Sequence, residues 1–152
     1  MALNSTSFQN AIALITGGNK GIGFEVARQL GEEGLVVLIA ARDKIRGEEA
    51  VCILNNENIQ AKWIELDVTK QETIDNAAHQ VLNDYGRLDI LINNAGILLE
   101  GEPPRLARTD MNDNNKAYPP PSHAARVIVH YATLPDDGPS GKFFDSQKDE
   151  MP

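Results

Sequence analysis

The sequence is short of cysteine, of basic residues and of long apolar runs. Cys52 is its only cysteine, which excludes an internal disulfide and points to a reducing compartment. Lysine and arginine number 14 against 22 acidic residues, a formal net charge of −8. Such a surface repels nucleic acid and anionic membranes, so neither is expected as a partner. No apolar stretch approaches the roughly 18 residues that mark a membrane-spanning helix. Met1 to Asn10 contains no lysine or arginine and lacks the basic start and apolar stretch of a signal peptide. The expectation is a soluble, cytoplasmic chain. His79, His123 and His130 stand at no metal-ligand spacing with Cys52, and no metal site is expected. What is present is an ordinary globular balance, 41% hydrophobic and 24% charged over 152 residues, enough for one domain with a sizeable core.

The first two thirds alternate two kinds of pattern. Ala11 to Ile15 is a short apolar run ending in Thr16-Gly17-Gly18, as a buried strand ends. Ile22, Val26 and Leu30 follow at helical spacing, closed by Gly31 and Gly34. Leu35 to Ala40 reads as a second buried strand, and Asp43 as the cap of a helix over Lys44–Asn55. Trp63 to Leu66 is a third strand. Thr69 and Glu72 form the Thr-x-x-Glu pattern of a capping box ahead of a helix that carries Ile74, Ala77, Ala78, Val81, Leu82 and Tyr85 and stops at Gly86. Leu88 to Ile92 is a fourth strand, ending at Asn93-Asn94-Ala95-Gly96. Continuous apolar strands between amphipathic helices predict an α/β fold, a parallel sheet covered on both faces and doubly wound by right-handed crossovers.

After Gly96 the character changes. Leu99 to Tyr118 is polar, and Pro119-Pro120-Pro121 breaks any helix. His123 to Leu134 is apolar again: Val127, Ile128 and Val129 suit a strand, Ala124, Val127, Ile128 and Tyr131 suit a helical face, and Pro121-Ser122 as a helix start favours the helix. Gly141 to Phe144 suits a short strand, and the last eight residues read as frayed. The organisation expected is a dinucleotide-binding half over 1–118 and a tail over 119–152, joined at a proline-rich junction.

Thr16 to Gly23 lies between the first strand and the first helix. Glycines there let backbone approach a pyrophosphate without a Cβ, and the helix N-terminus offers N–H groups and partial positive charge. The strand–turn–helix context is what gives that motif its meaning. An NAD-binding fold places an acid near the end of the second strand to hold the ribose 2′-hydroxyl. Here Ala41 stands in that place and Arg42 follows, a guanidinium suited to a 2′-phosphate, with Lys20 a second positive charge. Asp43 reads as the helix cap. Asp67, at the end of the third strand, could accept from an adenine amino group or make a turn. Asn93 to Gly96 ends the fourth strand at the same edge, small enough for a ribose to lie close, with asparagines able to lock neighbouring strands.

Thr-Gly-x-x-x-Gly-x-Gly at 16–23, Leu-Asp-Val at 66–68 and Asn-Asn-Ala-Gly at 93–96 resemble the short-chain dehydrogenase/reductase family. Gly-Gly-Asn-Lys-Gly-Ile-Gly and Ala-Arg-Asp-x-x-Arg-Gly-Glu resemble its NADPH-dependent carbonyl reductase branch. The resemblance is dense over residues 8 to 100. It implies a Rossmann-type fold, NADP(H) held by Gly17, Asn19, Lys20, Gly21, Ile22, Gly23, Arg42, Asp67, Val68, Asn94, Ala95 and Gly96, and reduction of an aldehyde or ketone by hydride transfer.

That family's chemistry uses an Asn, a Ser, and a Tyr and Lys spaced Tyr-x-x-x-Lys. The tyrosine donates a proton to the carbonyl oxygen, the lysine lowers its pKa and holds the ribose, and the serine orients substrate. Tyr85, Tyr118 and Tyr131 are followed four places on by Asp89, Ser122 and Pro135, so the dyad is missing. Asn114, in Asn114-Asn115-Lys116-Ala117, is the candidate for the family's Asn. Ala125 to Tyr131 and Asp137 to Phe144 resemble the family's C-terminal end. The resemblance therefore implies head and tail without the middle, joined near Tyr118 to Pro121: a truncated sheet of about four strands plus a C-terminal helix and short strand. Loss of an internal segment explains this better than an evolved minimal enzyme. The competing functions are an oxidoreductase without its catalytic dyad, a non-catalytic NADP(H)-binding module and a fragment without independent function. In the strand order 3-2-1-4 the fourth strand has an open outer edge, which predicts self-association, and the tail helix is the element able to cover part of the adjoining face.

Overall fold

Every residue of the first strand is apolar up to its final threonine, and the chain sorts these residues between two faces. In the computed structural model, which describes residues 8–96, 116, 119–135 and 138, the strands are β1 (Ile12–Thr16), β2 (Val36–Ala41), β3 (Ala61–Glu65) and β4 (Ile90–Ile92). The helices are α1 (Gly21–Glu32), α2 (Lys44–Asn56), α3 (Gln71–Tyr85) and α4 (Pro121–Ala132). The strands form one sheet in the order β3-β2-β1-β4, and each neighbouring pair is parallel. The doubly wound reading holds.

Side chains alternate along each strand. Ala11, Ala13 and Ile15 pack with Val26, Leu30, Ala50 and Leu54 from α1 and α2, while Ile12 and Leu14 pack with Ala77 and Val81 of α3. Ile15, Leu30, Leu38, Ile39 and Leu54 are fully buried, each worth about 1.5–3 kcal/mol relative to exposure. The register sets Thr16 opposite Ala40 and Ile15 opposite Ile92. The carboxyl ends of the strands, and the loops that follow them, therefore gather at one edge of the sheet.

Several element ends differ from the sequence reading. Thr69 and Glu72 do not make a capping box. The helix starts at Gln71 with Lys70 as its cap position and no side-chain cap; Thr69 lies one residue before the cap and donates its hydroxyl to Asp67 Oδ1 at 2.6 Å. Gly31 does not close α1: it lies inside the helix, where a Cβ would come within 2.1 Å of Ile59, and Gly34 makes the turn. β3 starts two residues earlier than expected, at Ala61. β4 is shorter, since Asp89 meets the start of β1 through its side chain, its Oδ2 accepting from Ile12 N at 2.7 Å. The Asp43 cap is as expected, Oδ1 accepting from Arg46 N at 3.0 Å.

The tail residues form a helix. Ala125 and Val129 of α4 join the α1–α2 side of the core, and Gln29 Nε2 donates to the Ser122 carbonyl at 3.1 Å. α4 packs against α1 on the face to which Ile90 and Ile92 of β4 turn, while the α3 side of β4 carries the exposed Leu91. Gly141 to Phe144 falls outside the described residues. Among those described, no helix is long and apolar enough to cross a membrane.

Candidate cofactor-binding site

The glycine loop is held by a threonine that contributes no charge. Thr16 is buried, 4% exposed, and its hydroxyl serves three backbone groups. It donates to the Ile92 carbonyl (3.3 Å) and accepts from Asn94 N and Ala95 N (3.0 Å each). Asn94 returns the tie, its Nδ2 donating to the carbonyls of Thr16 (3.0 Å) and Gly17 (3.3 Å). The end of β4 is thereby stitched to the loop after β1, and Gly17 N donates to the Ala40 carbonyl of β2 at 2.8 Å.

Two glycines are required by this stitching. Gly17 sits at φ +64°, a left-handed conformation that side chains disfavour. At Gly23, on the first turn of α1, a Cβ would fall 2.4 Å from Asn94 Nδ2 and 2.7 Å from the Gly17 carbonyl oxygen. The helix start can approach the strand ends only because that atom is missing. α1 begins with no side-chain cap and no acid in its first turn, so its own sequence leaves the partial positive charge of the helix start available to the loop. Lys20 occupies the cap position and, with Asn19, lines a cleft of about 430 Å³ that continues toward Arg46 and Glu49 of α2.

At the end of β2, Ala41 is buried and Arg42 exposed. At the end of β3, Asp67 makes the turn: Oδ1 accepts from Thr69 N at 3.0 Å and from the Thr69 hydroxyl at 2.6 Å. These hydrogen bonds, the hydroxyl first, hold the Asp67 carboxyl below the ordinary carboxylate range, with further help from Lys70 and Arg42. Thr73 closes the same loop, accepting from Asp67 N at 3.0 Å.

The structure thus brings Gly17 to Gly23, Arg42, Asp67, Val68 and Asn94 to Gly96 to one edge, the crevice where ligands bind in open parallel sheets. Asn114 lies outside the described residues. A dinucleotide fits the groups present: a glycine cradle, a helix start without acid, a guanidinium and an ammonium. No described group of His, Cys, Asp and Glu side chains could hold a metal ion. Sequence reasoning missed the role of Thr16, whose signals were its place at the head of the glycine motif and as the polar residue closing an apolar strand.

The sequence model of the family described as short chain dehydrogenase matches residues 11–117. The chain belongs to the short-chain dehydrogenase family. Members of this family are NAD(P)-dependent oxidoreductases that act on small molecules. Salutaridine reductase of Papaver somniferum is 42% identical over 95 residues, 61% of this chain and 30% of that protein. Carbonyl reductase [NADPH] 1 of Rattus norvegicus is 41% identical over 92 residues, 60% of this chain and 33% of that protein. The structure of F189W actinorhodin polyketide ketoreductase with NADPH superposes with a TM-score of 0.55 at 37% identity, over 57% of this chain and 33% of that one. This short-chain dehydrogenase chain therefore spans about a third of the length of the relatives it matches.

Proposed function

We propose that the chain binds NADP(H) in preference to NAD(H), with residues 1–118 as the dinucleotide half and 119–152 as a tail. The observation that carries this reading is the end of β2: buried Ala41 where an acid would hold a 2′-hydroxyl, then exposed Arg42, with Lys20 at the head of α1. The loop Gly17, Asn19, Lys20, Gly21, Ile22 and Gly23 takes the pyrophosphate. Arg42 takes the 2′-phosphate, Asp67 and Val68 flank the adenine, and Asn94, Ala95 and Gly96 border the ribose. A charge-assisted hydrogen bond to phosphate is worth roughly 1.5–3 kcal/mol, which makes the preference about tenfold or more. Calorimetry with NADPH and NADH on wild type and Arg42→Ala tests it, and equal wild-type affinities would refute it.

The relatives' names suggest a carbonyl substrate, an aldehyde or ketone reduced by hydride transfer. This chain has no Tyr-x-x-x-Lys pair, and a general acid contributes about 10²–10⁴-fold. The reading is therefore cofactor binding without turnover, either as a non-catalytic module or as a deletion product of an oxidoreductase, with Asn114 the remaining candidate from the catalytic set. Steady NADPH oxidation with aldehydes or quinones, abolished by a change in the glycine loop, would overturn it. The exposed thiol of Cys52 and the acidic balance fit a reducing cytoplasm.

A second reading, self-association, is favoured by one face of the sheet. Among the described strands β4 is terminal. Beside it Leu91, Leu88, Leu82 and Val68, 41–61% exposed, border an apolar groove of about 500 Å³ next to α3. The occupant proposed is a second copy, whose own β4 edge can pair with the open one. Light scattering across a concentration series tests this, and a monodisperse monomer at all concentrations is the contrary result.

A further inference from the structure

The chain's one tryptophan lies in the corner that carries Arg42. Trp63 projects from β3 toward α2, and its indole Nε1 donates to the Ala41 carbonyl at 3.2 Å. That carbonyl also accepts Leu66 N at 3.2 Å, so two donors from β3 and the residue just after it clamp the last residue of β2. The other side of the corner belongs to α2. Asp43 caps it, and Gly47 N donates to the Asp43 carbonyl at 3.0 Å.

The indole threads between these two halves. A Cβ on Gly47 would lie 2.0 Å from Trp63 Cδ1 and 2.4 Å from Nε1, so the ring fills the space that this glycine leaves inside a helix. Lys44, at the head of α2, places its ammonium over the same ring, 6.0 Å from the centroid. Ala41 before Arg42 and Asp43 after it are both fixed; the indole bonds the Ala41 carbonyl directly and packs on Gly47, whose N–H holds the Asp43 carbonyl.

We infer that Trp63 is a positioning residue for nucleotide selectivity: its indole N–H, wedged over Gly47, holds the Ala41–Arg42–Asp43 corner so that Arg42 meets a ribose 2′-phosphate. A guanidinium reads phosphate through directed N–H groups, so a displacement of its backbone anchor weakens that contact and leaves contacts to the rest of the nucleotide in place. The inference rests on the NADP(H) reading and adds a residue remote from the ligand.

Trp63→Phe keeps a ring against Gly47 and removes the donor. Calorimetry with 2′,5′-ADP and 5′-AMP separates the phosphate from the rest. In wild type 2′,5′-ADP binds more tightly. In Trp63→Phe its affinity falls about three- to tenfold, the range of one lost hydrogen bond, while 5′-AMP is unchanged. A tryptophan that merely stabilises the fold would lower the melting temperature and weaken both ligands together, or neither. Either result overturns the inference while the NADP(H) reading stands. Equal wild-type affinities overturn both. Should Trp63→Phe show no cooperative melting, the wild-type chain supplies the answer. One tryptophan gives one indole N–H cross-peak, which shifts with 2′,5′-ADP and not with 5′-AMP. A cross-peak unmoved by saturating 2′,5′-ADP refutes the coupling.

Discussion

Replacing Gly23 with alanine adds one methyl group where the ends of β1 and β4 meet a helix. The methyl carbon would lie 2.4 Å from Asn94 Nδ2, 2.7 Å from the Gly17 carbonyl oxygen and 3.1 Å from Asn94 Cγ. The asparagine can swing away, but only by leaving the Thr16 and Gly17 carbonyls, its acceptors at 3.0 and 3.3 Å. The Gly17 carbonyl belongs to the backbone of a residue at φ +64° and has little freedom. Overpacking costs about 1–3 kcal/mol, and a lost hydrogen bond about 0.5–1.5 kcal/mol. Against this, alanine regains roughly 0.5–1 kcal/mol of helix propensity. The net expectation is a loss of about 2 kcal/mol, near thirtyfold in the folding equilibrium. Urea unfolding followed by far-ultraviolet circular dichroism reads this as a lower midpoint at constant slope. Calorimetry with NADPH reads a weaker affinity as well, since the displaced loop is the proposed pyrophosphate cradle. A Gly23→Ala protein as stable as wild type, with unchanged affinity, would refute the claim that the missing Cβ permits the approach of α1 to the strand ends.

Three other outcomes follow from single contacts. Thr16→Val keeps the shape and removes a hydroxyl that serves three backbone groups, so a loss of about 1–2 kcal/mol is expected from the part-buried hydrogen bonds given up, read as a drop in melting temperature. Asp43→Ala removes the α2 cap and lowers stability by about 1 kcal/mol, measured by the same urea titration. The Asp67 carboxyl titrates below its unfolded value because Thr69 donates to it. Its contribution is therefore present above the unfolded carboxylate range and lost as pH falls through the folded value. Wild type and Asp67→Asn, melted from pH 7 down to pH 2, should differ most at neutral pH and converge in acid; a constant difference contradicts this.

The centre of the sheet was legible because β1 and β2 are unbroken apolar runs, the pattern of a parallel strand buried on both faces; β3, at the sheet's edge with Lys62 and Glu65, was legible only in part. The Asp43 cap was legible because the acid directly precedes its helix. Thr69 misled for a local reason: its hydroxyl turns back to donate to a charged acceptor two residues earlier, Asp67, and the helix begins one residue later, with Lys70 in the cap position. Gly31 misled because a helix-closing glycine and a helix-packing glycine look alike until the partner, Ile59, is known. The face chosen by α4 was hidden as well. Its Ala125 and Val129 fit either side of a sheet, and only the bare flank of α1 decides between them. The same holds for the site. The glycine spacing announced a phosphate loop, whereas the Trp63–Gly47 fit joins residues whose meeting depends on how α2 lies against β3.

The seating of α4 against α1 also bears on the order in which the protein is made. Gln29 and Ser122, which meet there, are 93 residues apart in sequence. Synthesis proceeds from the N-terminus at roughly 5–20 residues per second, so the outer flank of α1 stays uncovered for several seconds after its own strand neighbours have emerged. The nascent chain can pair β1, β2 and β3, but it cannot close this side until the tail leaves the ribosome. Ribosome-bound chains halted before Pro121 should therefore be the species most readily held by chaperones.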